Sequence, residues 1–171
     1  MTIEIRPERP TDVDAVRLVN EQAFGRPDEA RLVEALRDVP GRLSLIALAD
    51  GVLVGHILFT PVRIDRHDPG LMVAGLAPMA VLPAHQRLGV GSALVREGLA
   101  ACRAAGYAAV VVLGHVEYYP RFAFVPAHTK ALRYEHPGPA EAFMVVELVP
   151  GALDGSSGVV RYRPEFELAL G

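Results

Sequence analysis

Residues 86 to 91 read Gln86-Arg87-Leu88-Gly89-Val90-Gly91 and fall between a strand-like run and a helix-like run. Successive backbone N–H groups at a helix start converge outward, and the helix dipole favours an anion in front of them. Glycines at 89 and 91 remove the Cβ atoms that would hold a phosphate away, and they permit a tight turn. The chemistry this suits is capture of a pyrophosphate by main-chain groups. A mononucleotide P-loop is a different pattern, needing a Lys-Ser/Thr pair after its last glycine. The dinucleotide fingerprint spaces its glycines differently and follows the first strand of its fold. The bare motif recurs by chance in roughly one chain in five of this length. Because the same glycines also serve a plain strand-to-helix turn, the surroundings must decide.

Other reactive side chains lie near this loop or beyond it. Tyr118 and Tyr119 precede Phe122 and Phe124, and together they read equally as an aromatic cluster. Glu21, Glu29, His115 and Glu117 are candidate bases, each of which also reads as an ordinary solvated residue. His115 ranks first because it follows the end of a strand. The histidines lack a spacing such as His-Glu-x-x-His, so no metal site is expected. Cys102 is the one cysteine; it reads as a buried helix residue, not a nucleophile.

The elements that must position these residues follow from periodicity and turn chemistry. Thr11 is expected to cap a helix running to about residue 24, with Asp12 and Asp14 in its first turn. A second helix opens after Pro27 and ends before Pro40-Gly41. Asp50-Gly51 separates two apolar runs, 43–49 and 52–64, and predicts a hairpin. A strand over 71–82 contains Pro78, which cannot donate to a ladder, so a bulge or an unpaired edge is expected there. A helix over 89–105, closed by Gly106, leads to an apolar strand at 108–113. These three elements make a βαβ unit with parallel strands and a right-handed crossover. A short helical segment near 117–122 and strands near 143–149 and 159–163 complete a mixed α/β reading, taken as a single domain over 1–171.

Composition limits the partners. With 171 residues and 51% hydrophobic content, the chain can build a core without disulfides or metal. A net charge of −3 argues against a broad nucleic-acid footprint. No apolar run approaches the ~18 residues of a membrane span, and the N-terminus lacks the pattern of a signal peptide. A reducing, cytoplasmic setting is therefore expected.

Taken with this element order, the loop resembles the coenzyme A loop of the GNAT superfamily of acyl-CoA-dependent N-acetyltransferases. Tyr119-Pro120-Arg121-Phe122-Ala123-Phe124 is similar to that family's Tyr-x-x-x-Gly-Phe segment, with Ala123 in place of the glycine. The family's asparagine after its fifth strand is not evident, and the stretch from Leu113 to Tyr119 is short. Leu113-Gly114-His115 with Tyr118-Tyr119-Pro120-Arg121-Phe122 resembles the YhbS-like bacterial branch. The resemblance spans about residues 3–165.

It implies a central mixed sheet with a splayed parallel strand pair and flanking helices. It implies acetyl-CoA as acyl donor, no metal, and a primary amine, expected on a small molecule, as acceptor in a ternary complex. Gln86, Arg87, Leu88, Gly89, Val90, Gly91 and Ser92 would bind the pyrophosphate, and main-chain groups of Met79, Ala80 and Val81 the pantetheine. Tyr119 would be the general acid for the departing thiolate, since a phenol with a pKa near ~10 stays protonated at neutral pH; His115 is the candidate base. Rival readings are a non-catalytic acyl-CoA-binding module and a protein N-acetyltransferase. Oligomeric state is left open, a homodimer included.

Overall fold

A computed structural model describes residues 1–169. In chain order its elements are β1 (Ile3–Pro7), α1 (Val13–Phe24), α2 (Asp28–Ala35), β2 (Leu43–Ala49), β3 (Val52–Pro61), β4 (Arg63–Arg66), β5 (Val73–Val81), α3 (Val90–Ala104), β6 (Ala109–Leu113), β7 (Val125–Pro126), β8 (Leu132–Tyr134), β9 (Phe143–Glu147) and β10 (Ser157–Arg161). The chain forms two compact units. One takes Met1–Thr60, Ala77–Gly98 and the segment from Pro164; the other takes Pro61–Leu76 and Leu99–Arg163.

In the first unit, β1 runs antiparallel to β2 from Ile3 opposite Ala49 to Pro7 opposite Leu45. The β2–β3 hairpin turns at Asp50 (φ 48°) and Gly51 (φ 83°), the two left-handed residues that an Asp-Gly turn supplies. Helices α1 and α2 bury Val16, Leu32 and Val33 with Leu36, Ile46 and Leu58 as one apolar cluster. The first turns of α3 lie close on β3: a Cβ at Gly98 would stand 2.5 Å from the Phe59 ring, so only glycine admits that approach. Thr11 does not cap α1. Pro10–Asp12 forms a 3₁₀ turn, and the Asp12 carboxylate accepts the Arg9 N–H at 2.7 Å and the Arg6 guanidinium at 2.7 and 3.0 Å. A carboxylate with a guanidinium opposite makes charge-assisted bonds that the Thr11 hydroxyl cannot match.

A chain of polar groups threads this unit's interior. His56 is fully buried; its Nδ1 lies 3.2 Å from Asn20 Nδ2 and its Nε2 2.8 Å from Ser44 Oγ. Ser44 donates its hydroxyl to Glu8 Oε1 at 2.6 Å, and Arg42 and Arg37 donate to the same carboxylate at 2.7 and 3.1 Å. With the Ser44 proton committed to Glu8, Oγ must accept from His56 Nε2–H, and Nδ1 accepts from Asn20. Burial drives the His56 pKa down to about 4 against the pull of the Glu8 charge, so the ring is neutral and bears its proton on Nε2.

In the second unit, β5 pairs in parallel with β6 at Val73–Ala109, Ala74–Val110 and Gly75–Val111, and that ladder reaches no further. β6 runs antiparallel to β9 from Ala109 opposite Glu147 to Leu113 opposite Phe143, and β7 pairs with β9. A separate sheet has the order β4-β10-β8. The expected strand over 52–64 is two strands: Pro61 ends β3, the Val62 N–H turns to the Val73 carbonyl at 3.0 Å, and Ile64 pairs with Val160 of β10. Strand β9 stops at Glu147, short of the expected 149. The segment near 117–122 is a 3₁₀ turn, Tyr119–Phe122.

Candidate functional site

In the first unit, β5 runs into the loop that the sequence singles out. The Leu82 N–H bonds the Val54 carbonyl at 2.9 Å, a 3₁₀ turn occupies Pro83–His85, and Gln86 Nε2 donates to the Val81 carbonyl at 3.0 Å. The Gln86 side chain thus ties the loop back to the strand end. Arg87 (φ 62°) and Gly89 (φ 90°) are both left-handed, which folds the backbone into a concave turn before α3 opens at Val90. Val90 and Leu94 are buried and anchor that helix start. Ala93 N–H reaches the Gly89 carbonyl at 3.0 Å; the N–H groups of Arg87 to Gly91 precede that first helical bond and have no backbone acceptor among the described residues. A Cβ at Gly89 would meet nothing within 4 Å, so the space in front of these donors is open. Arg87 is exposed, and its guanidinium has no partner among the described residues. Main-chain donors at a helix N-terminus, with an exposed cation in the same loop, suit a diphosphate.

Met79, Ala80 and Val81 form the end of β5. Ala80 is buried while Met79 and Val81 are half-buried, so one side chain packs inward between two that are partly open. Pro78 lies past Gly75, where the ladder to β6 ends, leaving the polar groups of Met79–Val81 outside that ladder.

The second unit holds Tyr119 and His115. Tyr119 is buried, with Tyr118 and Phe124 edge-on at centroid distances of 5.1 and 5.5 Å. A Cβ at Gly114 would come within 2.4 Å of the Tyr119 ring, so glycine is required for the ring to lie on that backbone. Burial raises the Tyr119 pKa above that of a free phenol, and its hydroxyl has no hydrogen-bond partner among the described residues. The phenol is a proton donor at any physiological pH. His115 is exposed, and its ring has no partner among the described residues to orient it; its carbonyl accepts the Tyr118 N–H at 3.1 Å. In the first unit, Glu29 is buried and engaged by Arg26 at 2.6 and 2.9 Å, which uses the carboxylate structurally. Burial pushes the Cys102 thiol up to about 12, so it stays a protonated thiol at neutral pH.

A family model for an acetyltransferase (GNAT) domain matches residues 4–127. The chain is 38% identical to the N-acetyltransferase YhbS of Escherichia coli K12 over 165 residues, 95% of this chain and 97% of that one. This chain belongs to the GNAT acetyltransferase family. Among solved GNAT structures, that of E. coli YhbS in complex with CoA superposes with a TM-score of 0.88 at 36% identity, covering 96% of this chain and 92% of the other. A Brucella melitensis GNAT acetyltransferase in complex with acetyl-CoA gives 0.77 at 37% identity, covering 96% and 98%. Among the described residues no helix is long and apolar enough to cross a membrane.

Within this GNAT chain, Ala123 stands where the family motif has glycine, and its φ of 70° shows why glycine suits the position. Sequence reasoning missed a pocket of about 230 Å³ in the second unit, lined among others by Leu113, Leu132, Tyr134 and Phe143. No sequence signal marks it, because its walls come from three segments joined only by strand pairing and ring contact.

Proposed function

We propose that this GNAT chain transfers an acetyl group from acetyl-CoA directly to the primary amine of a small molecule, acting as a single acetyltransferase domain in the cytoplasm. The observation that carries the reading is the row of open N–H groups from Arg87 to Gly91 in front of Gly89, where a side chain would meet only empty space. The two superposing relatives captured with CoA and acetyl-CoA support the same donor. In this reading Gln86, through its bond to Val81, holds the loop in shape while Arg87 to Ser92 grip the pyrophosphate. Main-chain groups of Met79, Ala80 and Val81, free of the β6 ladder, pair with the pantetheine amides.

Acetyl-CoA supplies an activated acyl group as a thioester. The amine nitrogen forms the new C–N bond as the C–S bond breaks, and catalysis comes mainly from holding the reactants together. Tyr119 gives its proton to the departing thiolate sulfur. His115 takes the proton from the amine, through water, as an exposed imidazole can. The test is release of free thiol from acetyl-CoA across a panel of amines. Turnover with at least one small primary amine is expected. Tight association with coenzyme A and no thiol release with any amine would establish a non-catalytic binding module instead.

A further inference from the structure

The pocket of the second unit shares no residue with the cofactor loop. Its apolar walls are Leu113, Leu132, Tyr134 and Phe143. Tyr134 and Phe143 lie ring against ring at 5.3 Å, tilted by 30°, and Leu113 is opposite Phe143 in the β6–β9 ladder. Its volume, about 230 Å³, is roughly eight times the ~30 Å³ a water claims in the liquid. That is below the ~300–1,000 Å³ of sites for drug-sized ligands, so the occupant is small. The charges around it are unequal. His128 is held by Glu141 at 2.7 Å, and His136 lies 3.7 Å from Glu135. Arg133 also lines the pocket, and its guanidinium has no partner among the described residues.

An apolar chamber with one uncommitted guanidinium recognises an apolar body that ends in an anion, and a carboxylate matches guanidinium geometry best. Leu113 is followed directly by Gly114, the backbone on which the Tyr119 ring lies. The chamber also lies largely beyond the family-wide part of the chain: the family match ends at residue 127, and every lining residue except Leu113 comes after it.

Resting on the acetyltransferase reading, we propose that this chamber is the acceptor site and that it selects a small amino acid-like amine with an apolar or aromatic body and a carboxylate. The body packs against the half-buried Tyr134 and the edges of Phe143 and Leu132, the carboxylate meets the exposed Arg133, and the amine emerges past Leu113.

Gly138 makes the test clean. It lines the pocket, its φ is not in the left-handed region, and a Cβ there meets nothing within 4 Å. Gly138→Phe therefore places a bulky ring on the chamber's lining without a clash that would disturb the fold. Phenylalanine is the probe, phenethylamine the same body without the carboxylate, and putrescine the polar control. Phenylalanine should be acetylated with a kcat/KM about tenfold above phenethylamine, and Arg133→Gln should erase that margin. Gly138→Phe should raise the KM for phenylalanine about tenfold while leaving kcat and the affinity for coenzyme A unchanged. Direct binding of N-acetylphenylalanine, followed by NMR and lost in Gly138→Phe, reads the chamber without turnover. Putrescine outperforming phenylalanine, or N-acetylphenylalanine failing to bind the wild-type protein, would overturn the assignment. Absence of coenzyme A association in a protein that still binds N-acetylphenylalanine would sink the transfer reading and leave the chamber standing.

Discussion

Lowering the pH from 7 to 4.5 places a proton on an unfolded histidine but not on a buried one, and His56 turns this into a measurable loss of stability. Its ring is fully buried, with Nε2–H given to Ser44 and Nδ1 accepting from Asn20. A second proton would have to displace the Asn20 bond inside an apolar shell. Desolvation is the largest cause of the fall from 6.5 to about 4; the Glu8 carboxylate opposes it, and Arg42 and Arg37 add to it. Since the folded pKa is below the unfolded one, the unfolded chain binds more protons between these values, and stability drops as pH falls through that window. At 4.5 the loss from this group is about 2–3 kcal/mol, most of what it can contribute. Glu8 itself is held below the usual carboxylate range: burial pushes the other way, but the Ser44 hydroxyl and the Arg42 and Arg37 guanidinium groups outweigh it, so its own stabilisation fades only at the acid end of the interval, and the comparison with a His56 variant separates the two groups. Urea unfolding at pH 7 and 4.5 measures the difference, which corresponds to roughly 5–10 °C in Tm. The variant His56→Gln, less stable at pH 7, should lose far less over the same interval. Equal losses in the two proteins would show that His56 is not the group responsible.

Other expectations concern the site and one strained turn. Gly89→Ala should weaken coenzyme A association at least tenfold in calorimetry, while the left-handed φ at that position costs only about 1 kcal/mol of stability. Tyr119→Phe keeps the packing against Tyr118 and Phe124 and removes a hydroxyl without a hydrogen-bond partner. Its Tm should be unchanged, its affinity for coenzyme A intact, and its kcat lower by about 10²-fold or more; an unchanged kcat would remove Tyr119 from the reaction. Ala123→Gly should stabilise the protein by about 1 kcal/mol, since Ala123 sits at a φ that disfavours any Cβ, and thermal unfolding checks it.

The parts of this fold legible in the sequence are those whose signals are local. Asp50-Gly51 turns as read because two adjacent residues carry the whole requirement. Helices α1, α2 and α3 each present an apolar stripe long enough to register, and Gly106 closes the last with a φ of 98°. Strands β7 and β8 have two and three residues, too few for alternation to emerge from noise. Strand β4 was hidden because Ile64 continues the apolar run of β3, and only Pro61 hinted at the break. Thr11 misled for a related reason: the residue that organises that turn is Asp12, whose partner Arg6 lies on another element. The candidate site divides the same way. The cradle at 86–92 is contiguous and announced by its glycines, whereas the chamber at Tyr134, Phe143 and Leu113 exists only after β6, β8 and β9 have been brought together.

That division has a physical cause. A diphosphate is gripped by main-chain N–H groups, which every residue but proline possesses, so the sequence constraint reduces to where a Cβ must be missing and where φ must be positive. Side chains around such a grip are free to change, which fits a TM-score of 0.88 at only 36% identity. An acceptor cannot be recognised in this way. Amines differ in their bodies, and a body is read by side-chain shape and charge, in our proposal by Tyr134, Phe143 and Arg133. Those residues lie past the segment matched by the family model, which ends at 127, so on the proposed reading the donor is gripped by a motif within that segment while the choice of acceptor rests on residues outside it. It follows that exchanging residues 128–143 for the corresponding segment of a GNAT relative should move amine preference and leave the affinity for coenzyme A where it was.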